Sequence, residues 1–158
     1  MRYRPQYAYP KAPRGYKDQD FLYYFSSVGN PALGQNIAAG ALITNIPLQL
    51  DRDIYLDEPV PFLWRATKVL TNQTGLAVQF AGPDGTLLSN DFEAVGLSYA
   101  PGGASPIVGL SSVPNERGIE CPLGAVILVS LKNISSAGIV SPITEIFLIG
   151  VKRWKVAA

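Results

Sequence analysis

The chain has 158 residues, 47% apolar and only 16% charged, which fits one domain that buries roughly two-thirds of its unfolded surface. It has no histidine and one cysteine, Cys121, which excludes Ser-His-Asp and Cys-His catalysis, cysteine/histidine zinc sites and an internal disulfide. So few charges leave surface for a partner to cover.

The first seventeen residues, MRYRPQYAYPKAPRGYK, carry Arg2, Arg4, Lys11, Arg14 and Lys17, with no carboxylate before Asp18. The remainder holds eight basic and twelve acidic residues, so the net charge of +1 divides into a +5 arm and a −4 body. Pro5, Pro10 and Pro13 keep the arm extended, and Tyr3, Tyr7, Tyr9 and Tyr16 give it rigid amphipathic contact surface. This composition predicts an extended, partner-docking basic and aromatic arm over residues 1–40, followed by a β-sandwich domain over 41–158. Arginine interleaved with tyrosine also suits nucleic acid, but five charges are a small footprint beside an acidic body, and protein is the favoured partner. No apolar h-region follows the basic residues, and no apolar run reaches the ~20 residues of a membrane helix. A soluble protein folded in a reducing cytoplasm is expected.

Residues 18–40, DQDFLYYFSSVGNPALGQNIAAG, read as a short strand or helical turn at 20–27 and then irregular chain. From residue 41 the pattern is β. ALITNIPLQL and RDIYL are apolar and β-branched; PFLWRATKVL alternates, with Phe62, Trp64 and Ala66 on one face and Leu63, Arg65 and Thr67 on the other. LAVQF places Leu76, Val78 and Phe80 on one face, and GPDG (82–85) is hairpin chemistry leading into a strand at TLLS. FEAVGLSY, IVGLSSV, RGIEC, AVILVSL and TEIFLIGVKRWKV complete the series, AVILVSL being the most apolar. Eight or so strands with turn signals every 8–12 residues predict an all-β antiparallel sandwich, jelly-roll-like or another eight-stranded arrangement. The basic residues of VKRWKV, around Trp154, read as charges at a sheet edge with alternate apolar burial.

Candidate chemistry is sparse. Cys121, at a strand end before Pro122 with no basic neighbour, reads as a buried inert thiol. Asp51, Asp53 and Asp57, with Glu58, form an acidic cluster that would suit a cation or a glycosidase pair, but the spacing matches no calcium loop and Arg52 offers local pairing. GPDG and APGGASP lack the lysine and helix start of a phosphate loop. The expectation is a non-enzyme with no cofactor and no metal. Tyr99 and Trp154 offer a second possibility, the aromatic platform of a carbohydrate-binding module.

PLQLDRDIYLDEPVPFLWRATKV, LAVQFAGPDGTLLSN, AVILVSLKN and EIFLIGVKRWKV together resemble a class of small tailed-bacteriophage virion proteins. The resemblance rests on Asp57 leading to Phe62, Trp64 and Arg65, on the Asp84-Gly85-Thr86 turn, and on Gly150-Val151-Lys152-Arg153, and it covers residues 45–155. It implies a jelly-roll-like structural component of the particle, a capsid cement or decoration protein or a neck or collar part, with no catalytic residues. The implied partners are the major capsid protein and neighbouring copies of the chain, in a homo-oligomer on the virion. The arm lies outside the resemblance, and its docking role follows from charge and composition alone.

Overall fold

The computed structural model describes residues 11–50, 62–95, 118–122 and 124–156. Its elements are β1 (Tyr16–Ser26), a 3-10 turn (Pro31–Gly34), β2 (Leu42–Gln49), β3 (Phe62–Thr71), β4 (Leu76–Ala81), β5 (Glu93–Ala94), β6 (Ile119–Cys121), β7 (Val126–Asn133) and β8 (Thr144–Lys155). They build two four-stranded antiparallel sheets, ordered β1-β8-β3-β6 and β2-β7-β4-β5. β1 pairs with β8, β2 with β7, β3 with β6 and β4 with β5. These are the pairings of one long antiparallel ribbon, strands 1 to 4 against 8 to 5. Folding that ribbon over brings β3 beside β8 and β4 beside β7, which completes both sheets. The result is jelly-roll connectivity, two interlocked Greek keys in a sandwich.

Alternation explains which side chains meet between the sheets. Ile46 and Leu48 of β2, Leu76, Val78 and Phe80 of β4, Ile127, Val129 and Leu131 of β7, and Ile146 and Leu148 of β8 share one core. Trp64 and Phe80 meet edge to face across it, with ring centroids 6.0 Å apart. AVILVSL is buried on this one face alone, its other side chains being half-covered. Asn133 ends β7 wholly buried yet satisfied: its amide donates to the Ile37 and Ala137 carbonyls, and its oxygen accepts from Ser135.

Three sequence expectations change here. The strict alternation of PFLWRATKVL breaks at a β-bulge: Trp64 faces Gly150, Ala66 faces Ile149, and Arg65 is the extra residue between them. The parity therefore flips, and Thr67 and Val69 replace Ala66 and Lys68 on the inward face. Trp64 Nε1 seals the flip by donating to Thr67 Oγ1 at 2.8 Å and to the Ala66 carbonyl at 3.1 Å. Gly150 is required opposite the bulge, because a Cβ there would collide with the Leu63 carbonyl.

Next, the GPDG turn forms as expected, with Gly85 at φ +83° and Gly82 exchanging backbone bonds with Thr86 and Gly85. TLLS, however, does not continue as a ladder strand. It makes one bridge, Ala81 to Leu87, with the Leu88 N–H donating to the Phe80 carbonyl, and β5 takes up the same margin of β4 farther along, opposite Ala77 and Val78. Finally, VKRWKV is not at a sheet edge. β8 lies between β1 and β3, and its inward series Ile146, Leu148, Gly150 continues to Lys152, whose exposure is 0%.

Of the segment read as the arm, residues 1–10 lie outside the described residues. Residues 16–26 are paired along their whole length with β8, from Tyr16 opposite Lys155 to Ser26 opposite Glu145. The aromatic run FLYYF is thus a strand belonging to the sandwich, not a helical turn. RDIYL, IVGLSSV and the second half of FEAVGLSY fall outside the described residues.

Candidate docking surface

Strand β1 presents two different faces. Phe21, Tyr23 and Phe25 turn inward and pack on the core. Phe21 and Tyr23 meet edge to face at 4.9 Å, and Tyr23 meets Phe62 at 4.8 Å. Lys152, arriving from β8, threads its side chain into this group: Nζ lies 4.3 Å from the Phe21 ring centre, 5.0 Å from Tyr23 and 5.3 Å from Trp154. Those separations are in the range of cation–π attraction. The cage ties β1 to β8 through side chains as well as through the ladder. Outside it, Arg153 grips Asp18 with Nε at 2.8 Å and Nη2 at 3.2 Å, a two-pronged bond between the same two strands.

The outward face of β1 and β8 is apolar at its centre, where the described residues leave it exposed. Leu22 is 48% exposed, Tyr24 51% and Ile149 39%. Register explains the grouping: Leu22 lies opposite Ile149, and Tyr24 opposite Phe147, whose ring centre is 5.1 Å from that of Tyr24. Polar groups rim the patch, with Asp18, Asp20 and Arg65 toward one end and Lys68 and Glu145 toward the other. A shallow hollow lined by Asp20, Leu22, Arg65 and Ile149 opens at its charged end. A wet, charged rim around an apolar centre is the anatomy of a protein-binding patch.

The residues singled out from sequence divide around this surface. Arg2, Tyr3, Arg4, Tyr7 and Tyr9 lie outside the described residues. Lys11, Arg14, Tyr16 and Lys17 are exposed and lead directly into β1, with a turn closed by Tyr16 N–H donating to the Pro13 carbonyl. The last residues of the arm therefore reach the charged end of the patch. Sequence reasoning missed Leu22, Tyr24 and Ile149, because an unbroken apolar run hides which alternate residues face out. It also missed Lys152; extending the alternation of Ile146 and Leu148 by two steps would have placed it inside.

Asp51, Asp53, Asp57 and Tyr99 lie outside the described residues. No group of three or more potential metal ligands occurs among the described residues. Trp154 faces inward over Lys152, and its Nε1 is buried without a hydrogen-bond partner among the described residues, so its ring is not an open sugar platform. Cys121 is buried, and desolvation, with a smaller contribution from the Glu120 charge, pushes its thiol up to about 12. Among the described residues no helix is long and apolar enough to cross a membrane.

No protein-family model and no curated protein matches the chain. Among solved structures it is similar to particles of infectious bursal disease virus. The T13 viral particle gives 13% identity and a TM-score of 0.31, over 88% of this chain and 36% of that one. The VP2 subviral particle gives 15% identity and a TM-score of 0.28, over 93% and 38%. The chain thus spans little more than a third of those proteins, and a likeness this loose carries neither fold nor function.

Proposed function

We propose that the chain is a non-catalytic structural protein of a virus particle, of the tailed-phage type, which binds the capsid as a cement or decoration protein. The observation that carries this reading is the pairing of a jelly roll with an uncovered apolar sheet face, at the point where the basic, tyrosine-rich arm joins the fold. Jelly rolls serve in capsids, lectins and cupins alike, so the connectivity alone does not choose between them. An apolar patch with a charged rim favours a protein partner. On this reading the patch and the arm engage the major capsid protein and neighbouring copies. Arg2, Arg4, Lys11, Arg14 and Lys17 meet acidic rims, and Tyr3, Tyr7, Tyr9 and Tyr16 fill pockets. Many weak contacts on a shell become lasting through avidity.

The test is quantitative mass spectrometry of purified particles. Hundreds of copies per particle fit a cement, about a dozen fit a neck or collar part, and absence overturns the proposal. Deleting residues 1–10, which leaves β1 whole, should lower occupancy while the body stays folded. Undiminished occupancy would remove the arm from the account.

A further inference from the structure

We infer that the outer edge of β1 pairs with β1 of a second copy, so that two jelly rolls join into one eight-stranded sheet across a two-fold axis. The inference deepens the structural reading above and rests on it for its biological use, while its physics is tested on the isolated chain.

Backbone parity shows which groups are available. At one end of β1 the Ser27 N–H donates to the Thr144 carbonyl at 2.9 Å; at the other the Val156 N–H donates to the Gly15 carbonyl at 2.8 Å. Odd-numbered residues therefore turn their backbone groups toward β8. In an antiparallel ladder the even-numbered ones turn theirs away. Tyr16 N–H and the Ser26 carbonyl are taken up by local turns, through Pro13 and Asn30. Asp18, Asp20, Leu22 and Tyr24 are left facing the edge, where no described strand pairs with them. The register with β8 runs unbroken for eleven residues, with no proline and no bulge to guard it.

The occupant follows from what else is on offer. Edge β2 is blocked by Pro47 and by a bulge between Ile43 and Ile46, while β5 and β6 span two and three residues. In the arm, Pro5 and Pro10 stand at opposite parities, so one of them always turns its missing donor toward the edge. A second β1 has neither defect. Parallel pairing would set Asp18 and Asp20 beside themselves. Antiparallel pairing with Leu22 on the axis sets Leu22 against Leu22, Asp20 against Tyr24 and Asp18 against Ser26, with no like charges opposed. Phe21 then meets Tyr23 of the second copy, which covers rings left half-buried at the edge. About six backbone hydrogen bonds form, and the two apolar outer faces become one.

The experiment is sedimentation equilibrium on the full chain and on Leu22→Lys and Leu22→Glu. Leu22 is exposed, so near-ultraviolet circular dichroism should show both variants folded. The expected result is a wild-type dimer, dissociation constants raised about tenfold or more in each variant alone, and dimer restored on mixing the two, because like charges meet across the axis in the first case and opposite charges in the second. Should either variant fail to fold, Tyr24→Glu and the double variant Asp20→Lys/Tyr24→Lys serve in their place: off the axis, each alone sets like charges opposite one another, and the mixture sets opposite ones together. A wild-type monomer, undiminished dimerisation of the variants, or no recovery on mixing would each overturn the inference. A dimer with these properties from a protein absent from particles would sink the proposed function and leave the pairing intact.

Discussion

Both sheets end in a long strand on the same side of the sandwich, and the two ends are finished differently. β2 is interrupted: its register slips between Ile43 and Ile46, Asn45 adopts φ 57° with its N–H bonded to Ser130 Oγ, and Pro47 removes a donor. β1 is straight, unbroken and apolar over its second half. A sheet edge without such defences recruits strands, which is why soluble proteins spoil them. Among the described residues β1 is thus the edge without a proline or a bulge, its charges Lys17, Asp18 and Asp20 gathered in the first half of the strand, and it is on this contrast that the proposed pairing rests.

The largest expected effect breaks the frame that holds both edges. Gly150→Ala drives a Cβ into the Leu63 carbonyl at the bulge and should cost about 3 kcal/mol or more, read as a fall in the urea midpoint or loss of the folded protein. Lys152→Ala comes next. It empties the space between Phe21, Tyr23 and Trp154 and should cost about 2–4 kcal/mol. Hydrogen exchange should then speed up in β1 well before β2, which separates the two edges directly; equal acceleration in both would contradict the role given to the cage.

On the other edge, Asn45→Ala forces a side chain ill-suited to positive φ and should cost about 1 kcal/mol, whereas Asn45→Gly should be close to neutral. Asp18→Ala removes a partly exposed ion pair with Arg153 and should cost only about 0.5 kcal/mol, less at high salt. The smallest effect lies away from both edges. Hydrogen bonds from Thr86, first from its backbone N–H, hold the Asp84 carboxyl below the ordinary value of 3.8. Its folded value is the lower one, so its contribution to the turn is complete above the ordinary value and fades as acid drives the pH down through the folded one. The Thr86 amide shift should follow that titration, and Asp84→Asn should abolish it.

Legibility in the sequence tracked how local each signal was. LAVQF and TEIFLIG announced their faces by alternation, and Asp84-Gly85 announced its turn. The bulge at Arg65 was silent, because an extra exposed arginine looks like any outward position until the partner strand is known. Lys152 was misplaced since β8 was taken for an edge, and its neighbours in space come from β1, far away in the chain. FLYYF was ambiguous because every residue is apolar, which erases the period. For the docking surface, the charge of the arm was readable, but the patch depends on register between the first strand and the last.

That same closure has a consequence during synthesis. On a ribosome Tyr16–Ser26 emerges well over a hundred residues before its only described ladder partner, Thr144–Lys155. Until then FLYYF lacks that partner, and pairing strands so far apart in the chain is slow and leaves an apolar edge exposed in the meantime. Completion of this sheet therefore waits on the eighth strand, made after every other described strand.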